Sequence, residues 1–467
     1  MICAPPAYVN LPRGSVLVQD PDEEIFLLYT RKLQLAGEST SNGLRGARTQ
    51  EQEGGGGVET DGLGFAATAG EVVPVSLTVS DPWIPATASS AQGRGGEDAP
   101  LAEADGSQER NVRGRRGKTR RRARKHLQKS HKTTTRDDVT VQVELHQSLD
   151  ALRHRKGDTG SVLWRLSLHL AEYFLRTHHF PPPPSRQPPP PLPLLPFLAD
   201  STVLELGSGT GFLGIALRDV VLKPSSRGRW LFSDQWANLP LVVRNLRANG
   251  VLEPLQQPSS SSASSQQNKT KAGRGPASVG QQSKRGLERV EVLELDWLAE
   301  AAEWDREQHA LLSSGKGSAL SPRERAASHD DDGRGGDGPV VLLAVDCIYN
   351  PSLSAPLAKT LLRQARLHGS TTTPRPGAAA AGDRPPVSIV VASELRDDEP
   401  LEAFLRAWTD AANRDPDGRW TIARLGWDDE DEDAAAVAGE LASGQFVVWV
   451  AWRVAADAGC ADPAVTS

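Results

Sequence analysis

Residues 203–214 read VLELGSGTGFLG, an apolar run followed by glycines at 207, 209 and 211 and then by a stretch with helical spacing. Few segments constrain a fold more tightly. The apolar run demands a strand buried on both faces. The glycines allow the positive φ angles of a tight strand-to-helix turn and leave room for a ligand to approach the main chain. A chain built around such a turn is expected to be α/β, with a mostly parallel sheet and its ligand crevice at the carboxyl ends of the strands.

Downstream residues repeat the alternation. Strands are expected at 201–206, 229–234, 289–297, 340–350, 387–395, 419–427 and 445–454, with helices at 162–175, 211–222, 235–250, 353–367 and 399–408. The expected fold class is a Rossmann-like, seven-stranded, mostly parallel α/β sheet with helices on both faces. The last two strands have no clear helix between them and suit an antiparallel pairing at the C-terminal edge. VTVQVEL at 139–145 alternates like a further, half-buried strand.

Composition limits how much of the chain can join that sheet. Low-complexity stretches at 36–70, 87–136, 181–196, 253–287, 311–338 and 369–386 hold roughly 180 of the 467 residues, which leaves core material for one sizeable α/β domain. The expected organisation is a low-complexity region over 1–138, a folded domain over 139–456, and a tail over 457–467. Short ordered pieces are expected at 24–35 and 71–79. The domain carries disordered surface inserts at 181–196, 253–287, 311–338 and 369–386, where length costs little.

Other classes are disfavoured. No apolar run reaches the ~18 residues of a membrane span. The N-terminal stretch lacks a basic segment followed by an apolar one, which argues against a secretory signal. Three scattered cysteines exclude a disulfide framework and suit a reducing, cytoplasmic or nuclear compartment. The histidines at 146, 154 and 169 show no metal-ligand spacing. Residues 113–132 carry eleven Lys or Arg, read either as a solvated linker or as a nuclear address or nucleic-acid contact.

The candidate site residues follow from the strand ends. Glu205 precedes Gly207, Ser208, Gly209 and Gly211. Such a turn takes either the pyrophosphate of a dinucleotide or the amino-acid end of S-adenosyl-L-methionine, and the acid before the first glycine favours the latter. Residues 209–214 also satisfy G-x-G-x-x-G, a weak signal alone. Asp234 ends the next strand and is placed either to accept ribose hydroxyls or to cap a helix. Asp296 with Trp297 pairs an acceptor with an indole, as an adenine site or as a cap and a core residue. Asp346, Cys347, Tyr349 and Asn350 end the following strand, with Cys347 expected on its far face, and Glu394 and Arg396 end the next.

With GSVLW (160–164), VLELGSGTG, FSDQ, ELDW and DCIYN in place, the chain resembles class I, seven-β-strand methyltransferases. Within them it is similar to the protein-lysine methyltransferases of methyltransferase family 16, especially fungal members that modify a large-subunit ribosomal protein. The resemblance spans about a third of the chain and implies S-adenosyl-L-methionine as cofactor. It implies a donor site of Trp164, Gly207, Ser208, Gly209, Asp234, Trp297 and Val345, the last commonly alanine in that family. It also implies a protein substrate; a methyltransferase acting on nucleic acid or a small molecule, or a non-catalytic binding module of the same fold, are the alternatives. Asp346, Tyr349 and Asn350, by their place at the strand end, are the candidates for the acceptor's side of the site. A monomer is expected.

Overall fold

The computed structural model describes residues 5, 7–30, 71–83, 137–154, 159–182, 193–253, 289–313, 338–369, 387–416, 418–427 and 432–454. The basic run 113–132, the tail 457–467 and all but the ends of the four inserts lie outside them.

Ten strands follow one another: β1 (Val16–Leu17), β2 (Val72–Val79), β3 (Val139–His146), β4 (Thr202–Leu206), β5 (Arg229–Asp234), β6 (Val290–Glu294), β7 (Val340–Val345), β8 (Val387–Glu394), β9 (Arg419–Arg424) and β10 (Phe446–Val454). Eight form one sheet in the order β1-β9-β10-β8-β7-β4-β5-β6. All seven strands expected for the sheet are in it, and β1 adds an eighth at the edge. The β4–β5, β4–β7, β5–β6 and β7–β8 ladders are parallel. β10 inserts between β8 and β9, antiparallel to both. Every residue of β4 and β8 is buried, as continuous apolar runs in a two-sided sheet require.

Apolar side chains alternate between two cores. On one face the helices Arg165–His179, Phe212–Ala216, Arg218–Val221 and Leu239–Ala248 cover Val203, Phe232, Val341 and Leu343. On the other, Trp297–Ser313, Pro351–His368, Asp398–Asn413 and the helix at 21–30 cover Leu204, Leu342, Ile389 and Trp449. From β4 the chain winds outward through β5 and β6, then returns to β7 on the other side of β4. That reversal opens a crevice at the carboxyl ends of β4 and β7.

The N-terminal segments pack onto this body rather than preceding it. β2 pairs antiparallel with β3 along its whole length. The opposite edge of β3 is met by two amides of the Leu239–Ala248 helix and its cap. Asn245 and Asn249 each accept from and donate to one β3 residue, His146 and Glu144, at 2.6–3.0 Å. On the other side, Glu24 of the 21–30 helix accepts from the Trp449 indole at 3.0 Å and pairs with Arg424 at 2.8 Å. A folded unit starting at 139 therefore omits pieces that complete it.

Candidate functional site

The glycine turn adopts the backbone its sequence demands, with φ of 63° at Gly207, 55° at Gly209 and 74° at Gly211. Its use differs from the expectation of amides aimed at a ligand. Ser208 N donates to Ser233 O and Gly211 N to Ser208 O. Gly209 N donates to Asp234 Oδ2 at 2.8 Å. The glycines therefore contribute space and left-handed backbone. A Cβ on Gly207 would lie 2.8 Å from Cys347 Sγ and 3.2 Å from the Trp297 ring, and one on Gly209 would lie 3.0 Å from Gly160 O.

Around the turn lies an open-mouthed cavity of about 220 Å³ at the β4–β7 crevice. Trp164, Glu205, Gly207, Ser208, Gly209, Asp234, Asp296, Trp297, Val345, Asp346 and Tyr349 all line it. Gly211 does not; it caps the Phe212–Ala216 helix behind the turn. Nor does Asn350, whose side chain accepts from Ser352 N as the cap of Pro351–His368. Gly160, Gln235 and Leu295, which stand inside the GSVLW, FSDQ and ELDW motifs, join the lining, as do Ser167, Asn238 and Leu298, which were not singled out. Asn238 lies one helical turn beyond Asp234, and that spacing was the clue available.

Asp234 is the hub of one wall. Besides Gly209 N, its carboxylate accepts from Gln235 N at 2.8 Å and Asn238 Nδ2 at 3.0 Å. It is not the side-chain cap of Leu239–Ala248. Asp296, by contrast, is a cap: its Oδ1 accepts from Leu298 N at 2.8 Å and Ala299 N at 3.3 Å, opening the helix that Trp297 begins.

Beneath the turn, Glu205 Oε2 accepts from the Trp230 indole at 2.9 Å. Burial is the main cause that pushes its carboxyl up to about 8; the Trp230 hydrogen bond opposes this, and the nearby Asp234 charge adds to it. An unfolded glutamate ionises near 4.3, so the native state holds an extra proton between the two values. The resulting stabilisation is fully present below the unfolded value and is lost as pH rises through about 8. Glu205→Gln keeps an acceptor for Trp230 and removes the titration. In melts followed across pH it is expected to match wild type near pH 4 and exceed it at pH 9, by on the order of 4 kcal/mol.

The β7 end is shaped by a left-handed residue. Asp346 has φ of 56°, and its N–H donates to Ala392 O at 2.8 Å. This kink ends the pleated alternation, so Cys347, expected on the far face, also lines the cavity. Its Sγ donates to Leu206 O at 3.3 Å, and burial raises the thiol well above its ordinary value, which suits packing rather than nucleophilic chemistry.

The Asp346 carboxylate is gripped on both oxygens by Arg396, at 2.7 and 3.1 Å. Arg396 also donates to Glu394 Oε2 at 2.8 Å, and Glu394 receives Arg165 on both oxygens. The Arg396 guanidinium lies 4.9 Å from the centre of the Trp164 ring. An acid–base chain thus runs behind the cavity wall, from β7 through β8 to the Arg165–His179 helix.

Comparison with known proteins bears on this arrangement. Residues 144–260 match a family model described as lysine methyltransferase. That span holds Trp164, the glycine turn and Asp234 and ends before Trp297 and Asp346. Among curated proteins, the chain is similar to a diaminohydroxyphosphoribosylamino-pyrimidine deaminase of Schizosaccharomyces pombe (strain 972 / ATCC 24843). The two are 25% identical over 264 residues, covering 56% of this chain and 41% of that protein. The chain thus matches less than half of the relative's length.

Among solved structures it is similar to the mitomycin 7-O-methyltransferase MmcR, with 12% identity, 55% of this chain and 50% of that one covered, and a TM-score of 0.25. PigF with SAH gives 12% identity, 54% and 50% coverage, and 0.23. An O-methyltransferase family 2 protein from Planctomyces limnophilus DSM 3776 gives 13% identity, 64% and 63% coverage, and 0.22. TM-scores this low add nothing to the mostly parallel α/β fold read from the strand order. No helix among the described residues is long and apolar enough to cross a membrane.

Proposed function

We propose that this protein is an S-adenosyl-L-methionine-dependent protein-lysine N-methyltransferase whose acceptor is a large-subunit ribosomal protein. The observation that carries the reading is the joining, in one cavity, of the glycine turn, the Asp234 hub and two indoles with the Asp346–Tyr349 strand end. The lysine methyltransferase match over 144–260 supports the acceptor class. The ribosomal target rests on the resemblance of the motifs alone.

The chemistry of the lining fits the cofactor: the Asp234 carboxylate can accept from hydroxyls, and the Trp164 and Trp297 indoles offer flat apolar surfaces to a base and a sulfonium. S-adenosyl-L-methionine supplies an electrophilic methyl group on a sulfonium. Gly207, Ser208 and Gly209 leave room for its amino-acid end. Asp234 would hold the ribose hydroxyls, and Trp297 with Leu295 and Leu298 would pack on the adenine. Trp164 and Val345 narrow the passage to the strand ends, where Asp346 and Tyr349 orient the acceptor amine along the transfer axis. With the donor bound, its sulfonium would supply the methyl to the amine held there and leave as a neutral thioether, and the proton displaced from the amine would pass to water.

The test uses donor labelled in its methyl group, incubated with the full chain and large-subunit ribosomal proteins. Label is expected on lysine after acid hydrolysis of one protein band. Label in RNA or in small molecules instead, or none with donor bound, overturns the acceptor assignment. Absence of donor binding in titration calorimetry overturns the reading as a whole.

A further inference from the structure

The charged groups at the β7 end balance. Asp346 and Glu394 supply two negative charges, and Arg396 and Arg165 two positive ones, in a continuous set of ion pairs. Cys347 and Tyr349 on the same segment add no charge at neutral pH. Across the cavity stand Glu205 on β4 and Asp234 on β5, both at the donor end. The Asp346 side chain is 1% exposed while Arg396 keeps 31%, so the guanidinium covers the carboxylate from the solvent side.

This matters because methyl transfer needs a lysine without its proton, while free lysine is almost wholly protonated at neutral pH. A bare buried carboxylate at the acceptor end would stabilise the ammonium form and hold the amine unreactive. A carboxylate already neutralised by a bidentate guanidinium does not.

We propose that Arg396 is a positioning residue that keeps the Asp346 end of the cavity electrically neutral, so that the acceptor lysine is held as the free amine. Stacking on Trp164 fixes the guanidinium in that place, and the Arg165–Glu394 pair holds it from behind. The inference rests on the methyltransferase reading above and deepens it.

Arg396→Gln removes the charge and keeps much of the side chain's packing; Arg396→Lys restores the charge without the bidentate grip. Transfer to large-subunit ribosomal protein is followed from pH 6.5 to 9.5 at saturating donor, with donor affinity measured in parallel. For Arg396→Gln, kcat is expected to fall about tenfold at pH 7, with KM falling alongside because the ammonium now binds well. The kcat loss is expected to shrink to about twofold or less at pH 9.5, a shift of about one pH unit in the acidic limb. Arg396→Lys is expected to keep the wild-type limb. Equal kcat loss at every pH, an unmoved limb in Arg396→Gln, or lost donor binding overturns the inference and leaves the methyltransferase reading intact. A wild-type chain that transfers to no lysine overturns that reading and this inference with it.

Discussion

Replacing Asp234 by Ala is expected to abolish usable donor binding, weakening the dissociation constant for S-adenosyl-L-methionine more than about 100-fold. The carboxylate has two tasks at once in the proposed site. It would accept the ribose hydroxyls, and it already accepts from Gly209 N, Gln235 N and Asn238 Nδ2. The first loss removes charge-assisted bonds to the ligand, each worth about 1.5–3 kcal/mol. The second leaves buried donors without acceptors and frees the glycine turn, a cost of about 2–4 kcal/mol in folding stability. Titration calorimetry and urea unfolding separate the two. Asp234→Asn, which turns one acceptor oxygen into a donor, is expected to fall between wild type and Asp234→Ala in both. Normal affinity in Asp234→Ala would remove the ribose role.

Gly207→Ala is expected to be the next most damaging change. Left-handed backbone costs a residue with a side chain about 1–2 kcal/mol. At Gly207 the new methyl would also press on Cys347 Sγ at 2.8 Å and on the Trp297 ring at 3.2 Å. Trp297 must then shift, and donor affinity is expected to drop at least about tenfold, with a total stability loss of about 2–3 kcal/mol. Gly250 provides the internal control. Its φ is 68°, yet nothing lies within 4 Å of its Cβ position. Gly250→Ala should therefore show the backbone cost alone and bind donor normally. Adding Cys347→Ala to Gly207→Ala removes the sulfur contact and should recover part of the loss. Equal effects at 207 and 250 would mean that crowding at the turn is irrelevant to binding.

The legible parts of the fold were those with local signals. The run in β7 is apolar throughout and those in β4 and β8 mostly so, and glycine spacing marked the reversal after β4. Three described helices escaped notice, the short Leu149–His154 and two others for physical reasons. Trp297–Ser313 meets its neighbour through charge: Glu300 and Glu307 pair with Arg363, and only a few side chains such as Trp304 are apolar and buried. Its sequence therefore shows acids where a pattern search wants a stripe. Glu432–Ala438 is mostly alanine, which helps a helix form but says little about what it packs against.

The candidate site divides in the same way. Asp234 and Trp297 announced themselves by standing at strand ends, and Trp164 came with the resemblance that GSVLW carries. The partner of Asp346 did not, because Arg396 lies 50 residues further along the chain, and the link from Arg165 to Glu394 spans 229 residues. Sequence alone determined seven of the sheet's strands, the helices with an apolar stripe, and the glycine turn, since each depends on neighbours along the backbone. Only the tertiary structure decided which carboxylates are neutralised, that the Gly209 and Gly211 N–H groups bond within the protein, and that residues 7–30 and 71–83 pack onto the body. Ion pairing and close approach depend on distance in space, and no local pattern records it.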